Sequence, residues 1–187
     1  MVKLDRQGEK LWSRSVGGLS NDYLIQAVEM KNGDFALIGR TESTTGVAKG
    51  NHGMYDYMAA RLDPKGRIKW TRTYGGLDWE WGNSVTPTSD GGILFGGYSY
   101  TFDDFELGDI KCNHGEFDYW VIKTSADGQP QWQQCFGGSN YDLAYGLIEL
   151  KDGNFAMTGG TASRDGDVRE NSGGWDAWVV KFSPRGE

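Results

Sequence analysis

The sequence predicts an all-β protein assembled from three copies of one small antiparallel unit. Three observations support this fold class: 29 of the 187 residues are glycine, 13% are aromatic, and a set of Trp, Gly-Gly and Asp motifs recurs along the chain. Glycine supplies the positive φ of tight turns, and aromatic side chains favour pleated, packed strands. Glycine interrupts every helical spacing of apolar residues within three turns, so we predict no helix.

A series of motifs recurs three times and defines the repeat. Each copy holds a Trp, a Gly-Gly pair, an Asn-Gly or Asp-Gly turn and then an Asp; the repeated Trp and Asp are Trp12, Trp70, Trp132, Asp56, Asp118 and Asp176. A fixed period of about 60 residues is the signature of a repeat architecture. We therefore predict a single repeat domain over 1–187, with units at about 10–67, 68–129 and 130–187, in which residues 1–9 repeat the end of a unit.

Each unit is predicted to contain four strands, and the turn dipeptides before the second strand are strong hairpin signals. In order within the unit, the predicted strands lie at 24–30 and 144–150; at 35–41, 93–99 and 155–161; at 55–62, 117–124 and 175–182; and at 68–74 and 130–136. The third strands are apolar at consecutive positions, as in residues 119–122, so both faces of each sheet are expected to be buried. Gly39, Gly97 and Gly159 mark places where one sheet is expected to approach its neighbour closely.

Repeated four-stranded sheets that are covered on both faces indicate a β-propeller, whose blades typically number about four to eight. Residues 2–9 align with residues 180–187, so the chain begins with a fourth strand at 11–16 and stops with a third. We expect strands from both termini to complete the last blade, and two copies to join as a homodimer into a six-bladed ring, in a domain swap. The alternatives are a piece of a larger ring or longer array, and a closed monomer with the β-trefoil fold.

The motifs of the middle unit resemble those of the bacterial β-propeller repeat family, known from secreted or surface-attached, seven-bladed-type propellers. They are Tyr-Gly-Gly at 74–76, Asp-Gly-Gly-Ile at 90–93, Gly-Gly-Tyr-Ser at 96–99, the run from His to Lys at 114–123, and Ala-Asp-Gly-Gln-Pro-Gln-Trp at 126–132. The resemblance covers all three units. It implies a binding or structural module without catalysis, located outside the cell or at the cell surface.

Composition excludes several classes of protein. No apolar run approaches the roughly 20 residues that a membrane helix needs. The net charge of −7 argues against nucleic acid as a partner. Residues 1–6 are charged and do not form a signal peptide, so either the protein stays inside the cell or a leader lies outside this sequence. Cys112 and Cys135 are either structural thiols, a disulfide, or ligands of a metal together with His114.

The candidate ligand-binding residues are three aromatic side chains that are peculiar to the middle unit: Trp79, Trp81 and Tyr100. Together they would form an exposed platform of the kind that stacks on sugars or on hydrophobic partners, although a role in the core explains them equally well.

Acidic residues in two inter-strand loops are candidate oxygen ligands for Ca²⁺, the only cofactor that the sequence suggests: Asp103, Asp104, Asp165 and Asp167. Solvated acidic loops are the alternative explanation. Calcium is therefore a secondary expectation, and the first expectation is a protein without a cofactor.

The repeated acids are interpreted as structural, because a residue that every unit needs serves the unit itself. Asp56, Asp118 and Asp176 would accept backbone N–H groups at the corner before each third strand. The same applies to the acids after Gly-Gly, which are Asp22, Glu80 and Asp142, and we expect Lys123 and Lys181 to pair with these repeated acids. His52 and His114 are interpreted as turn residues, since the third copy has Ser172 at that position.

The sequence therefore predicts a non-catalytic scaffold that binds a protein or a glycan. One alternative is a glycan-acting enzyme, which needs two carboxylates that face each other across a pocket. The other is a purely structural segment of a longer array.

Overall fold

The computed structural model describes residues 1–100 and 108–186, and these residues form β-strands and one short 3₁₀ helix, with no α-helix. The strands are β1 (Val2–Leu4), β2 (Lys10–Ser13), β3 (Asp22–Glu29), β4 (Phe35–Thr41), β5 (Asp56–Leu62), β6 (Ile68–Tyr74), β7 (Glu80–Pro87), β8 (Ile93–Ser99), β9 (Asp118–Thr124), β10 (Pro130–Phe136), β11 (Asp142–Glu149), β12 (Phe155–Thr161) and β13 (Asp176–Phe182). The 3₁₀ helix is Gly46–Ala48. The all-β prediction is confirmed.

The strands form four antiparallel sheets in chain order. They are the N-terminal hairpin β1–β2, the first sheet β3–β6, the second sheet β7–β10 and the third sheet β11–β13. Neighbours in a sheet are also neighbours in sequence, and none of these sheets closes on itself. The predicted second strands, and the fourth strands at 68–74 and 130–136, coincide with the observed ones. The fourth strand predicted at 11–16 is shorter, at Lys10–Ser13, and β3 and β11 begin two residues earlier than predicted, at Asp22 and Asp142.

The sheets stack face to face and bury the third strands of the first and second sheets. The prediction that both faces of every third strand are buried is wrong for β13, which has exposed residues at alternate positions because none of the sheets in the described residues covers its outer face. Every residue of β5 and of β9 is buried, as the consecutive apolar positions predicted. Tyr57 of the first sheet packs against Trp120 of the second, with ring centroids 4.6 Å apart, and its hydroxyl donates to the Trp120 carbonyl at 3.0 Å. Tyr119 repeats this contact on Trp178 of the third sheet, at 4.7 Å and 3.2 Å. The same interface is therefore built twice.

The repeated Trp side chains fasten each sheet to the next at its outer edge. Each indole N–H donates to a carbonyl in the turn after the third strand of the following sheet. The three bonds join Trp12 to Pro64 (3.1 Å), Trp70 to Ala126 (3.0 Å) and Trp132 to Pro184 (3.0 Å). This contact between units explains why the Trp recurs at the period of the repeat.

At each end of the stack, a strand face is exposed whose equivalents are buried where two sheets meet. Val179 of β13 is 65% exposed, whereas Val121 and Ala59, at the same position of the second and first sheets, are 0% exposed. At the other end, Val2 and Leu4 of the N-terminal hairpin are more than half exposed. β2 pairs with β1 of the same chain, and among the described residues no strand pairs with the outer edge of β13.

Gly97 makes its closest contact within its own sheet, which differs from the predicted approach between sheets. A Cβ there would lie 1.9 Å from the Trp81 carbonyl oxygen, and 2.8 Å from the Tyr57 hydroxyl of the neighbouring sheet. The cause is a bulge in β7 between Gly82 and Ser84, which brings the backbone of that strand against β8.

A disulfide joins Cys112 to Cys135, with 5.6 Å between the two Cα atoms. Of the three alternatives for these cysteines, the structure therefore shows the disulfide. It fastens the loop that precedes β9 to β10, and Cys135 is almost fully buried in the core between the first and second sheets.

Replacing Gly97 by Ala is expected to lower the free energy of unfolding by about 3 kcal/mol, because the new methyl group meets rigid backbone. The matched variant is Gly96→Ala, whose Cβ would meet the movable ends of Leu147 and Met157 at 3.1–3.2 Å. We expect Gly96→Ala to lower the free energy of unfolding by less than about 1 kcal/mol. Urea unfolding of both variants measures the difference, and equal losses would contradict the bulge argument.

Candidate aromatic binding site

One end of the sheet stack carries a group of aromatic side chains, which we call the aromatic ridge. They stand just before or at the start of a first strand, just before a third strand, or at the end of the second strand of the middle unit. The ridge consists of Tyr55, Trp79, Trp81, Tyr98, Tyr100, Phe117, Tyr141 and Trp175. It extends from the first sheet across the second to the third.

Five rings of the ridge form a continuous row. The centroid distances are 5.9 Å from Trp79 to Tyr100, 4.9 Å from Tyr100 to Phe117, 5.8 Å from Phe117 to Tyr141, and 6.5 Å from Tyr141 to Trp175. These distances fall in the range of favourable aromatic pairs. The rings therefore support one another across the junction between the second and third sheets.

The backbone holds these rings in place at each junction between sheets. The Glu80 N–H donates to the Tyr55 carbonyl at 2.6 Å, which brings Tyr55 next to Trp79 in a parallel bridge. At the next junction the Asp142 N–H donates to the Phe117 carbonyl at 2.5 Å. Because the same bond recurs, the ridge is a property of the stacked repeat and not of one flexible loop.

An open cavity of about 490 Å³ lies over the ridge. Its lining consists of aromatic rings and one leucine: Tyr55, Trp79, Trp81, Tyr98, Phe117, Tyr141 and Leu143. Trp79 is 39% exposed, Tyr141 43% and Trp175 54%. An exposed concave surface of this composition suits a ligand that offers flat apolar faces.

At the end of the ridge near the first sheet, the side chain of Arg40 lies over the aromatic rings. The guanidinium carbon of Arg40 lies 4.2 Å from the ring centroid of Trp81, 4.8 Å from that of Tyr23 and 5.4 Å from that of Tyr55. The Arg40 Nε is buried and has no hydrogen-bond partner among the described residues. Ring faces therefore form its main contacts on that side.

The three predicted platform residues lie together, although they differ in accessibility. Trp79 and Trp81 line the cavity, and Tyr100 packs on Trp79 at its edge. Trp81 is half-buried against Arg40 and Tyr98, whereas Trp79 faces solvent. Trp79 is therefore accessible to a ligand, whereas Trp81 is packed against other side chains of the protein.

Sequence reasoning missed most of the ridge. Tyr55, Phe117 and Trp175 each stand one residue before the repeated Asp, so an aromatic residue at that position in every unit was a detectable signal. Tyr98 and Tyr141 carried no such signal, because their positions are not aromatic in every unit.

The acidic loop residues proposed for calcium have backbone partners. Asp165 Oδ1 accepts the Ser139 N–H at 2.7 Å, and Asp167 Oδ2 accepts the Gly137 N–H at 3.2 Å. Asp103 and Asp104 lie outside the described residues. Within the described part of the chain, no group of three or more His, Cys, Asp or Glu side chains is arranged to hold a metal ion.

The repeated acids accept backbone N–H groups, as the structural interpretation requires. Asp56, Asp118 and Asp176 each bond to the N–H four residues earlier, at 3.1, 2.7 and 2.6 Å. The acids after Gly-Gly bond to the N–H of the second glycine, at distances of 2.6–2.8 Å for Asp22, Glu80 and Asp142. His52 and His114 place Nδ1 2.8 and 2.7 Å from Asp56 and Asp118.

Two acids from adjacent sheets pack around one glycine at each junction. A Cβ on Gly137 would lie 2.3 Å from Asp118 Oδ1 and 2.8 Å from Asp142 Oδ2, and both acids are 0% exposed. Burial raises the pKa of Asp118 to about 6, against the lowering effect of His114, and the charge of Asp142 adds to the rise. Burial likewise raises the pKa of Asp142. The first glycine of the motif thus leaves room for a pair of carboxyl groups.

The predicted pairing of the repeated lysines with these acids is wrong. Lys123 Nζ lies 2.9 Å from Asp90 Oδ2, and Lys181 Nζ lies 2.6 Å from Asp152 Oδ2. The reason is register: Lys123 stands opposite Leu94, next to the hairpin turn that holds Asp90, whereas the repeated acids lie at the other end of the sheet.

Comparison with known proteins shows a distant similarity to a regulatory protein. No family model matches the chain. The chain is 29% identical over 157 residues to the regulatory protein FlaEY of Caulobacter vibrioides, and this match covers 81% of the chain but only 16% of that protein. No helix in the described residues is long and apolar enough to cross a membrane.

Buried Asp118 is expected to make stability fall as the pH rises from about 4 to about 6. The folded pKa of Asp118 lies above its ordinary value of 3.8, so the stabilising contribution is complete below the ordinary value and is lost as the pH passes the folded value. Asp118 contributes at most about 3 kcal/mol in this way. Urea unfolding across this pH range measures the slope.

Asp118→Asn removes one titrating group and is expected to make this pH dependence shallower. Asp127→Asn, in an exposed turn, is the matched control and should leave the slope as it is. An unchanged slope in Asp118→Asn would contradict the assignment.

Proposed function

We propose that this chain is part of a β-propeller that acts as a non-catalytic binding module, with the aromatic ridge as its contact surface. The observation that carries the proposal is the row of five rings held by backbone hydrogen bonds at the junctions between sheets. Rigid aromatic groups that are partly exposed lose little entropy on binding, which favours their use in recognition.

Separate sheets stacked face to face support a propeller in preference to a trefoil. The exposed Val179 face at one end and the exposed Val2 and Leu4 face at the other are copies of surfaces that the inner sheets bury. Such apolar faces favour association with another chain. We propose that a second copy covers the Val179 face and that its β13 takes the place of β1, so that two chains close one ring. The exchange requires β2 of one copy to leave β1 and pair with β13 of the other.

The disulfide supports a location outside the cytoplasm. Disulfides persist in oxidising compartments and are rare where thiols are kept reduced. The bond between Cys112 and Cys135 therefore fits a secreted or surface-attached module, in agreement with the location that the family resemblance implies.

The buried acids argue against the glycan-acting enzyme. Asp56 and Glu80 form a second pair like Asp118 and Asp142, and all four side chains are 0% exposed. A catalytic pair must contact its substrate, and these acids contact backbone N–H groups instead. Their recurrence at both junctions supports a structural role.

The test is binding of arrayed glycans and short peptides to the protein and to the Trp79→Ala variant. Trp79 lies between the first and second sheets, so closure of a ring leaves it accessible. Loss of a stacking ring is expected to weaken binding about ten-fold. Val47→Ala, an exposed apolar residue of the first-sheet loop, is the control and should bind as the unchanged protein does. Binding that survives Trp79→Ala would contradict the ridge as contact surface.

A further inference from the structure

The Arg40 site shows how this aromatic surface holds a cation. One guanidinium group packs over the faces of Trp81, Tyr23 and Tyr55 within 5.4 Å, a geometry that electrostatic attraction to ring faces favours. These rings belong to the junction between the first and second sheets. The protein thus contains a filled example of an aromatic site for a guanidinium.

The next junction repeats the rings but has no such cation. At the position of Arg40, the second sheet has Tyr98 and the third has Gly160. Phe117 and Tyr141 lie against one another there at 5.8 Å, and Tyr98 packs edge-on against Phe117 at 5.3 Å. Among the described residues, no Lys or Arg stacks on these rings. Tyr141 stays 43% exposed, so part of its ring is accessible to solvent.

Acidic side chains border this second group of rings. The charge of Glu116 raises the pKa of Tyr100, and the charge of Asp78 adds to that effect, so both carboxylates act on the ridge. The chain as a whole carries a net charge of −7. The local and the overall charge both favour a positively charged ligand.

We propose that the ridge at the junction of the second and third sheets binds an arginine or lysine side chain of a partner protein, presented on an exposed basic segment. This inference rests on the proposed function and names the partner class of the same site. The cation lies over the faces of Tyr141 and Phe117, as Arg40 lies over Trp81, and Glu116 and Asp78 supply the opposite charge. A neutral or anionic glycan lacks the charge that these carboxylates select.

The experiment compares two peptides that differ only in charge: an arginine-containing hexapeptide and the same peptide with citrulline, which keeps the shape and loses the charge. Calorimetric titration gives the two dissociation constants, at low and at high salt. We expect the arginine peptide to bind about five-fold more tightly, with a difference that shrinks at high salt. Equal affinity for both peptides would overturn the inference.

Two variants at one position separate the ring face from simple apolar contact. Tyr141→Leu keeps apolar bulk without a ring and is expected to lose about five-fold in affinity for the arginine peptide, whereas Tyr141→Phe should stay within about two-fold. Matching thermal melts of the two variants show that both are folded. Equal losses in both variants would overturn the ring-face contact.

A third measurement, with neutral oligosaccharides, distinguishes the proposed binding module from the proposed basic partner. Oligosaccharide binding that is lost in Trp79→Ala, together with equal binding of both peptides, leaves the binding module standing and overturns the basic partner. Failure of every peptide and oligosaccharide to bind overturns both.

Discussion

Face-to-face burial of the third strands is the constraint on which the rest of the structure depends. β5 and β9 are covered on both sides, and the contact of Tyr57 on Trp120 is made again by Tyr119 on Trp178. Because adjacent sheets are fixed in this way, the junctions between them have constant geometry. The paired carboxyl groups, the indole bonds at the outer edge and the ordered row of rings all follow from that geometry.

The ridge arises because the repeat places equivalent residues at every junction. The residue before the repeated Asp meets the residue before the next first strand, so Tyr55 lies beside Trp79 and Phe117 beside Tyr141. A change of residue type at these positions alters the surface and leaves the backbone bonds in place. The side chains of the proposed contact surface therefore vary on a fixed frame, as is common where rigid scaffolds carry functional side chains. Arg40 shows such variation, because it fills a position that is Tyr98 in the next unit.

The sequence was sufficient to predict the all-β class, the repeat and most strand limits, because turn glycines and consecutive apolar positions are local signals. It also indicated Trp79 as a platform residue. It was insufficient for contacts that depend on how strands align: the partner of Lys123 follows from register, and the tight contact of Gly97 follows from a bulge in the adjacent strand. The distance between Phe117 and Tyr141 depends on how the second and third sheets pack against each other. The sequence of a single unit does not determine that packing.

The mass in solution tests the stacking account most directly, because the same interface that joins the inner sheets is left open at both ends of the chain. The calculated mass of one chain is 20.7 kDa. If a second copy covers the exposed face of Val179, sedimentation equilibrium gives about twice this mass over a wide range of concentration. A folded protein that sediments as a single chain at every concentration would contradict the account.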